Sequence, residues 1–339
     1  IALTRTENPA SSARWLDQFA KKIFLSMFSE ITHGRITLKE GRHEYTFGKD
    51  STEFPLHATI FVHEACFYSD VIFGGTVGSG EAYMAGSWDC HQLTDLVRII
   101  VRNDHVLSSI DSGFGKLMLP LHKAFHLMHR NSINGSRKNI QAHYDLGNDM
   151  FELFLDPTMM YSSGIFEQQD VSMEQASIAK LDRICQKLQL DENDRVLEIG
   201  TGWGGFAIHA AKNYGCHVTT TTISQQQFEY ARRKIAEHGL GDRITLLCED
   251  YRKLSGQYDK LVSIEMIEAV GHAYYKNYFE HCSRLLKADG MMLLQAITIA
   301  DQRYKRAKKE VDFIQRYIFP GGSRPSVEVI ANNVARHTD

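Results

Sequence analysis

The sequence predicts an α/β protein, a Rossmann-like domain preceded by a small α+β N-terminal domain. Two observations carry that prediction. A short apolar strand, Val196–Ile199, runs into Gly200, Gly202, Gly204 and Gly205 and then into a helical pattern; strand, glycine turn and helix in that order open a doubly wound parallel sheet. Ahead of it, residues 1–107 hold helical periods and alternating runs separated by turn residues. With 339 residues, 43% of them hydrophobic, and a net charge of −3, the chain has enough apolar surface for one large or two medium cores.

In the N-terminal part, Trp15, Phe19, Ile23 and Met27 recur at helical spacing between Ser11 and Ile31. RITLKEGRHEYTF alternates about a KEGR turn as a hairpin does, and HATIFVHEACFY continues the strand pattern. LTDLVRIIVRN, at 93–103, returns to helical spacing. Nothing in this part identifies a chemistry.

Residues 108–140 are expected to form a basic amphipathic linker to a third zone, 141–339. From Ser112 to Tyr144 there is no Asp or Glu, while Lys116, Lys123, Arg130, Arg137, Lys138 and four histidines are interleaved with apolar residues such as Phe114, Leu117, Phe125 and Met128. Such a segment suits an anionic membrane surface, where each well-placed cation adds about 1 kcal/mol. A helix packed on the core with a solvated basic face is the competing reading. Negative net charge and the lack of a recognition motif argue against nucleic acid. No apolar run is long enough to cross a bilayer, and IALTRTENPASS lacks the order of a secretory signal, so the expected location is cytoplasmic. The six cysteines (Cys66, Cys90, Cys185, Cys216, Cys248, Cys282) form no CxxC pair. They are read as buried free thiols, with no metal site.

The glycine turn lets a cofactor approach the backbone at the carboxyl end of the first strand. Two details favour S-adenosylmethionine over a dinucleotide. Glu198 ends the strand with a carboxylate, which suits a cationic amino group better than a pyrophosphate. The next strand, HVTTTTIS, lacks the acidic residue that a nicotinamide dinucleotide's ribose site expects.

The motifs HYDLGNDMFELFLDPTMMYSS (143–163), VLEIGTGWGGFA (196–207), TISQQQ (222–227), EDYR (249–252), EMIEAVG (265–271) and DFIQRYIFPGG (312–322) then follow in order. Across about 140–325 the chain closely resembles the cyclopropane-fatty-acyl-phospholipid synthase family, which includes the mycolic acid cyclopropane synthases. The resemblance implies a class I S-adenosylmethionine methyltransferase fold. It implies that Tyr144, Tyr161 and Ser162 belong to a lid over the cofactor, and that Glu198, Gly200 and Gly202 face its methionine and ribose portions. Thr222 and Gln227 would hold the ribose, while Asp250 and Tyr251 would border the adenine. In the N-terminal part only GEAYMAGSWD (80–89) looks familiar.

The implied reaction moves a methylene group from S-adenosylmethionine to the double bond of an unsaturated phospholipid acyl chain. A weakly nucleophilic alkene needs alignment and exclusion of water; aromatic faces stabilise the carbocation, and a base removes the last proton. In the family a bicarbonate ion held by a Cys, a Glu, a His and backbone serves as that base. Here Glu268 matches the glutamate and Ile297 keeps its position, but Ser163 stands where many members have Cys and Gln295 where many have His. Ser and Gln still hydrogen-bond an anion; without one, Glu268 acts more directly. Glu265, one helical turn earlier, is read as structural.

A different fate of the cation would instead leave a methyl or methylene branch, so a C-methyltransferase making methyl- or methylene-branched acyl chains is the alternative. An amine N-methyltransferase follows, and last a membrane scaffold without activity. Peripheral attachment to the inner face of the membrane and a homodimer are also expected. A chain beginning at Ile1 is expected to lack its natural start. After MMLLQAITI (291–299) the two closing strands of a methyltransferase sheet are missing, so the natural terminus is expected to lie further on.

Overall fold

The computed structural model describes residues 11–50, 52–106 and 147–338, the side chains of 11–14 excepted. The chain divides into two compact units, Ile1–Ala124 and Phe125–Asp339. The expected linker 108–140, the acid-free segment 112–144 and Tyr144 lie outside the described residues.

The first unit contains α1 (Ser11–Phe28), β1 (Gly34–Glu40), β2 (His43–Lys49), β3 (His57–Val62), α2 (Cys66–Met84), β4 (Trp88–Asp89) and α3 (Leu93–Arg102). Its sheet runs β2-β1-β3-β4, with the expected hairpin antiparallel and β3 parallel to β1. The inward residues Ile36, Leu38, Ala58, Ile60 and Val62 share one core with α1 and α2. Buried Asn103 joins α3 to the start of β1: its Oδ1 accepts from Thr32 N (2.9 Å), and its Nδ2 donates to His33 O (2.9 Å) and Ile99 O (2.8 Å).

The expected N-terminal helix is found as α1, and one strand expectation is corrected. Helix α1 buries Ala20, Phe24 and Phe28, while Trp15 and Phe19 are exposed. Phe24 and Phe28 stack at 3.9 Å, and Phe24 meets Phe67 and Tyr68 edge-on, so aromatic packing sets the helix's rotation. The strand pattern of HATIFVHEACFY stops at Val62, and Cys66–Tyr68 already belong to the long helix α2. The glycines of FGGTVGSG hide that helix from propensity, yet they serve its packing. Gly75 kinks it at φ 61°, and a Cβ on Gly78 would lie 2.1 Å from Asp70 O.

The second unit contains α4 (Asn148–Glu152), α5 (Met173–Leu188), β5 (Arg195–Ile199), α6 (Gly205–Tyr214), β6 (His217–Thr221), α7 (Gln225–Glu237), β7 (Ile244–Leu247), β8 (Tyr258–Ile264), α8 (Tyr275–Leu285), β9 (Leu286–Gln295), α9 (Asp301–Ala307) and α10 (Val327–His337). The described strands form one parallel sheet in the order β7-β6-β5-β8-β9. Chain direction across the sheet reverses beside β5, and such a switch point opens a crevice at the carboxyl ends of the strands. Helices cover both faces, which is why β5 is buried from Val196 to Ile199. A capping box between Ser172 and Gln175 starts α5. No helix among the described residues is long and apolar enough to cross a membrane.

Candidate active site

The glycine turn after β5 sits at the switch point. Gly200, Gly202 and Gly204 have φ of 106°, 54° and 96°, left-handed values that an L side chain adopts only under strain. A Cβ on Gly202 would meet nothing within 4 Å, so the backbone there is open to a ligand. A Cβ on Gly205 would instead strike Met160 Sδ at 2.7 Å and Thr158 O at 2.8 Å. That glycine lets the segment before α5 lie directly on the turn. Beneath the turn, Glu198 is buried and its Oε2 accepts from Thr220 Oγ1 (2.6 Å), whose hydroxyl also meets Thr201 Oγ1 (2.7 Å). Burial pushes the Glu198 carboxyl up to about 8, against the Thr220 hydrogen bond. A cationic amino group nearby would favour its charged form.

The described part of the lead-in motif, 147–163, covers this turn through aromatic packing. Phe151, Met159, Trp203 and Tyr230 form a buried cluster with Leu155 and Tyr161 packed against it. Trp203 Nε1 donates to Asn148 Oδ1 (2.8 Å), tying α4 to the glycine turn. Tyr161 lies 5.4 Å from Phe151 and stacks on Phe319 at 6.3 Å, so the FPGG motif reaches the same place. Ser162 accepts a hydrogen bond from Lys180 Nζ.

At the ends of β6 and β7 the expected ribose and adenine residues are placed as two pairs. Thr222 Oγ1 donates to Gln227 Oε1 (2.9 Å), both buried. Asp250 is gripped by Arg252 through Nε (2.8 Å) and Nη2 (2.6 Å) and caps the short turn Tyr251–Lys253. Burial opposes its ionisation, but the Arg252 hydrogen bonds prevail and hold its carboxyl below the usual range. Asp250 therefore has a structural partner already, and Tyr251 packs edge-on against Tyr278 at 5.6 Å.

The carboxylate centre lies just past β8 and β9. Gly200 links it to the turn, since a Cβ there would touch Met266 Cγ at 3.3 Å. Glu268 Oε1 accepts from Ile297 N, and Glu268 O accepts from Ser323 N (2.8 Å). Glu268 Oε2 is buried and has no hydrogen-bond partner among the described residues. Burial pushes this carboxyl up to about 7, with the charge of Glu265 adding to it and the Ile297 hydrogen bond opposing.

Ser163 and Gln295 are brought together, but on Glu265. Glu265 Oε1 accepts from Ser163 N (3.1 Å), Ser163 Oγ (3.4 Å) and Gln295 Nε2 (2.7 Å). Gln295 Nε2 also donates to Ser163 Oγ (3.1 Å), and Glu265 N donates to Gln295 O (2.9 Å). Glu265 is not on a helical turn: its φ is 47°, a left-handed value that costs a non-glycine residue about 1 kcal/mol or more. The reading of Glu265 as merely structural missed this convergence. Its positive φ was invisible in the sequence.

Lys180 on α5 was missed as well. It is buried 18 residues from its partner Ser162, and burial pushes its ammonium down to about 8 against the attraction of Glu265 and Asp156. Asp156 is itself held by Thr158 Oγ1 (2.7 Å) and Ser177 Oγ (3.2 Å). A lysine in a helix gives no sequence sign of burial; Ala176 and Leu181 on the same buried face were the available hint.

The glycine turn and this centre together bring open backbone, buried carboxyl oxygens and aromatic side chains to one end of the sheet. The family model described as mycolic acid cyclopropane synthetase matches residues 131–338. This chain belongs to that family. Among members of known function, the cyclopropane-fatty-acyl-phospholipid synthase of Escherichia coli is 38% identical over 292 residues, covering 83% of this chain and 70% of that one. The tuberculostearic acid methyltransferase of Mycobacterium tuberculosis is 36% identical over 271 residues, covering 78% of this chain and 63% of its own length. A mycolic acid cyclopropane synthase solved in complex with SAH and CTAB superimposes with a TM-score of 0.55 at 34% identity, covering 59% of this chain and 74% of that one. The expected fold is thereby borne out: the second unit is a class I S-adenosylmethionine-dependent methyltransferase domain of the cyclopropane synthetase family. The residues present fit that cofactor on their own chemistry. Gly202 leaves the approach open, Glu198 lies behind the turn, and Thr222 and Gln227 supply polar atoms at the end of β6.

Proposed function

We propose that the protein transfers a methylene group from S-adenosylmethionine to the double bond of an unsaturated phospholipid acyl chain and closes a cyclopropane ring. The observation that carries the reading is the unpartnered, buried Glu268 Oε2 beside a glycine turn open to a cofactor. The E. coli relative, a cyclopropane-fatty-acyl-phospholipid synthase by name, supports the substrate class.

When bound, the cofactor would supply an electrophilic methyl carbon on a sulfonium, the C–S electron pair leaving with sulfur as the alkene's pair takes that carbon. The chain's residues do the rest. Tyr161 and Phe319, stacked at 6.3 Å, are the aromatic side chains that would exclude water and offer faces to the cation left on the acyl chain, with buried Trp203 packed behind Tyr161. Glu268 Oε2 takes the proton from the added methyl, and the freed C–H pair closes the ring. The test is mass analysis of lipids after incubation with an unsaturated phospholipid and the methyl donor: acyl chains gain one CH2. Methylation of amines with unchanged acyl chains would sink the reading.

A second reading, methyl or methylene branching of the acyl chain, is favoured by the relative named as a tuberculostearic acid methyltransferase. It differs in the fate of the cation: a 1,2-hydride shift followed by proton loss from the added methyl leaves a methylene branch, proton loss from a chain carbon leaves a methyl-branched alkene, and a saturated methyl branch further needs a hydride donor.

The acyl substrate places the enzyme, in this reading, on the inner face of the membrane, with 112–144 as the contact. Exchanging Lys116, Lys123 and Arg130 for Glu is expected to weaken binding to anionic vesicles by about fivefold per residue, and salt to do likewise. Equal binding of variant and parent in a flotation assay would assign the segment to the protein core.

A further inference from the structure

Ser163 N–H, Ser163 O–H and the Gln295 amide converge on one point, and three donors so arranged are a cradle for a small oxyanion. The cradle is already filled, because Glu265 Oε1 takes all three contacts. We propose that Glu265 is a built-in anion occupying the place of an external oxyanion, so that this protein works without bicarbonate.

Three further observations support the assignment. Glu265 reaches the cradle from a backbone at φ 47°, a conformation suited to glycine, so the carboxylate is held there against a conformational cost. The main chain clamps it, with Glu265 N donating to Gln295 O while the Gln295 side chain donates back to the carboxylate. The buried cation Lys180 lies within the electrostatic reach of Glu265 and bonds Ser162, the residue next to the cradle. The residues present therefore do not fit a bound bicarbonate unless Glu265 withdraws. The proposal rests on the reading of Glu268 as proton acceptor. Glu265 acts beside it as a fixed charge that positions Ser163 and Gln295 and faces the developing cation.

The test separates filling the cradle from supplying charge. Glu265→Gly suits the backbone and empties the cradle; Glu265→Gln keeps an acceptor oxygen in it but removes the charge. Calorimetry and 13C NMR with formate and bicarbonate are expected to show no binding to the parent or to Glu265→Gln, and binding to Glu265→Gly. Turnover is expected to fall about 10²-fold in both variants, to recover with either anion in Glu265→Gly only, and in the parent to be indifferent to bicarbonate depletion. Bicarbonate binding to the parent, or full activity of Glu265→Gly with no anion bound, would overturn the proposal. The binding measurements need no lipid, so a parent protein that modified no acyl chain would refute the proposed function while leaving this inference to be decided by anion binding.

Discussion

Glu268→Gln is expected to leave affinity for S-adenosylhomocysteine unchanged while lowering turnover by about 10²–10⁴-fold. The amide keeps an oxygen to accept from Ile297 N and keeps the volume of the side chain, so the loop joining β8 to α8 retains its shape. What it loses is the ability to accept a proton at the position of the buried, unpartnered Oε2. The pH dependence follows from the same burial. With the carboxyl raised to about 7, the ionised, proton-accepting form is lost as pH falls through about 7 and is complete above it. Turnover should therefore show an acid limb near neutrality, and residual turnover in Glu268→Gln should lack that limb. Calorimetry gives the affinity and a steady-state pH series gives the limb. Full turnover in the amide variant would leave the site without a base.

Gly202→Val is expected to abolish cofactor binding, by at least about 10²-fold, while the domain stays folded. At φ 54° a β-branched residue is strained by about 1–2 kcal/mol, and the side chain projects into space where no protein atom lies within 4 Å. That space is where the cofactor must approach the backbone. Calorimetry with S-adenosylhomocysteine measures the loss, and circular dichroism confirms the fold. Undiminished binding would mean that the open face of the turn is not the cofactor's.

How much of this was legible in the sequence depended on whether a residue's role is local. The strand, glycine turn and helix around 196–214 read correctly because their geometry is fixed by neighbours in sequence, and the hairpin about Gly41 did too. Helix α2 did not, because its glycines are explained only by the close approach of Asp70 O to Gly78 and by the kink at Gly75. In the site, the motifs named the participants Ser163, Gln295, Glu268 and Ile297 but not who bonds whom. Gln295 and Glu265 meet because β9 pairs with β8 in the register Ile264↔Gln295, and Ser163 arrives from 102 residues away. Lys180 and Glu265 look like ordinary solvated charges until the sheet places them. Asp250, read as an adenine neighbour, is bound to Arg252 two residues on, a pairing that the sequence EDYR allowed but did not decide.

The most direct measurement supplies the purified protein with an unsaturated phospholipid and S-adenosylmethionine bearing a trideuterated methyl group, and counts deuterium in the product acyl chain. Proton removal from the added methyl predicts a chain that retains two deuterons in a ring, with the third released to solvent. Two deuterons on a methylene branch, or three on a methyl branch, would contradict ring closure, and no deuterium in the acyl chain would contradict the account of the site as a whole.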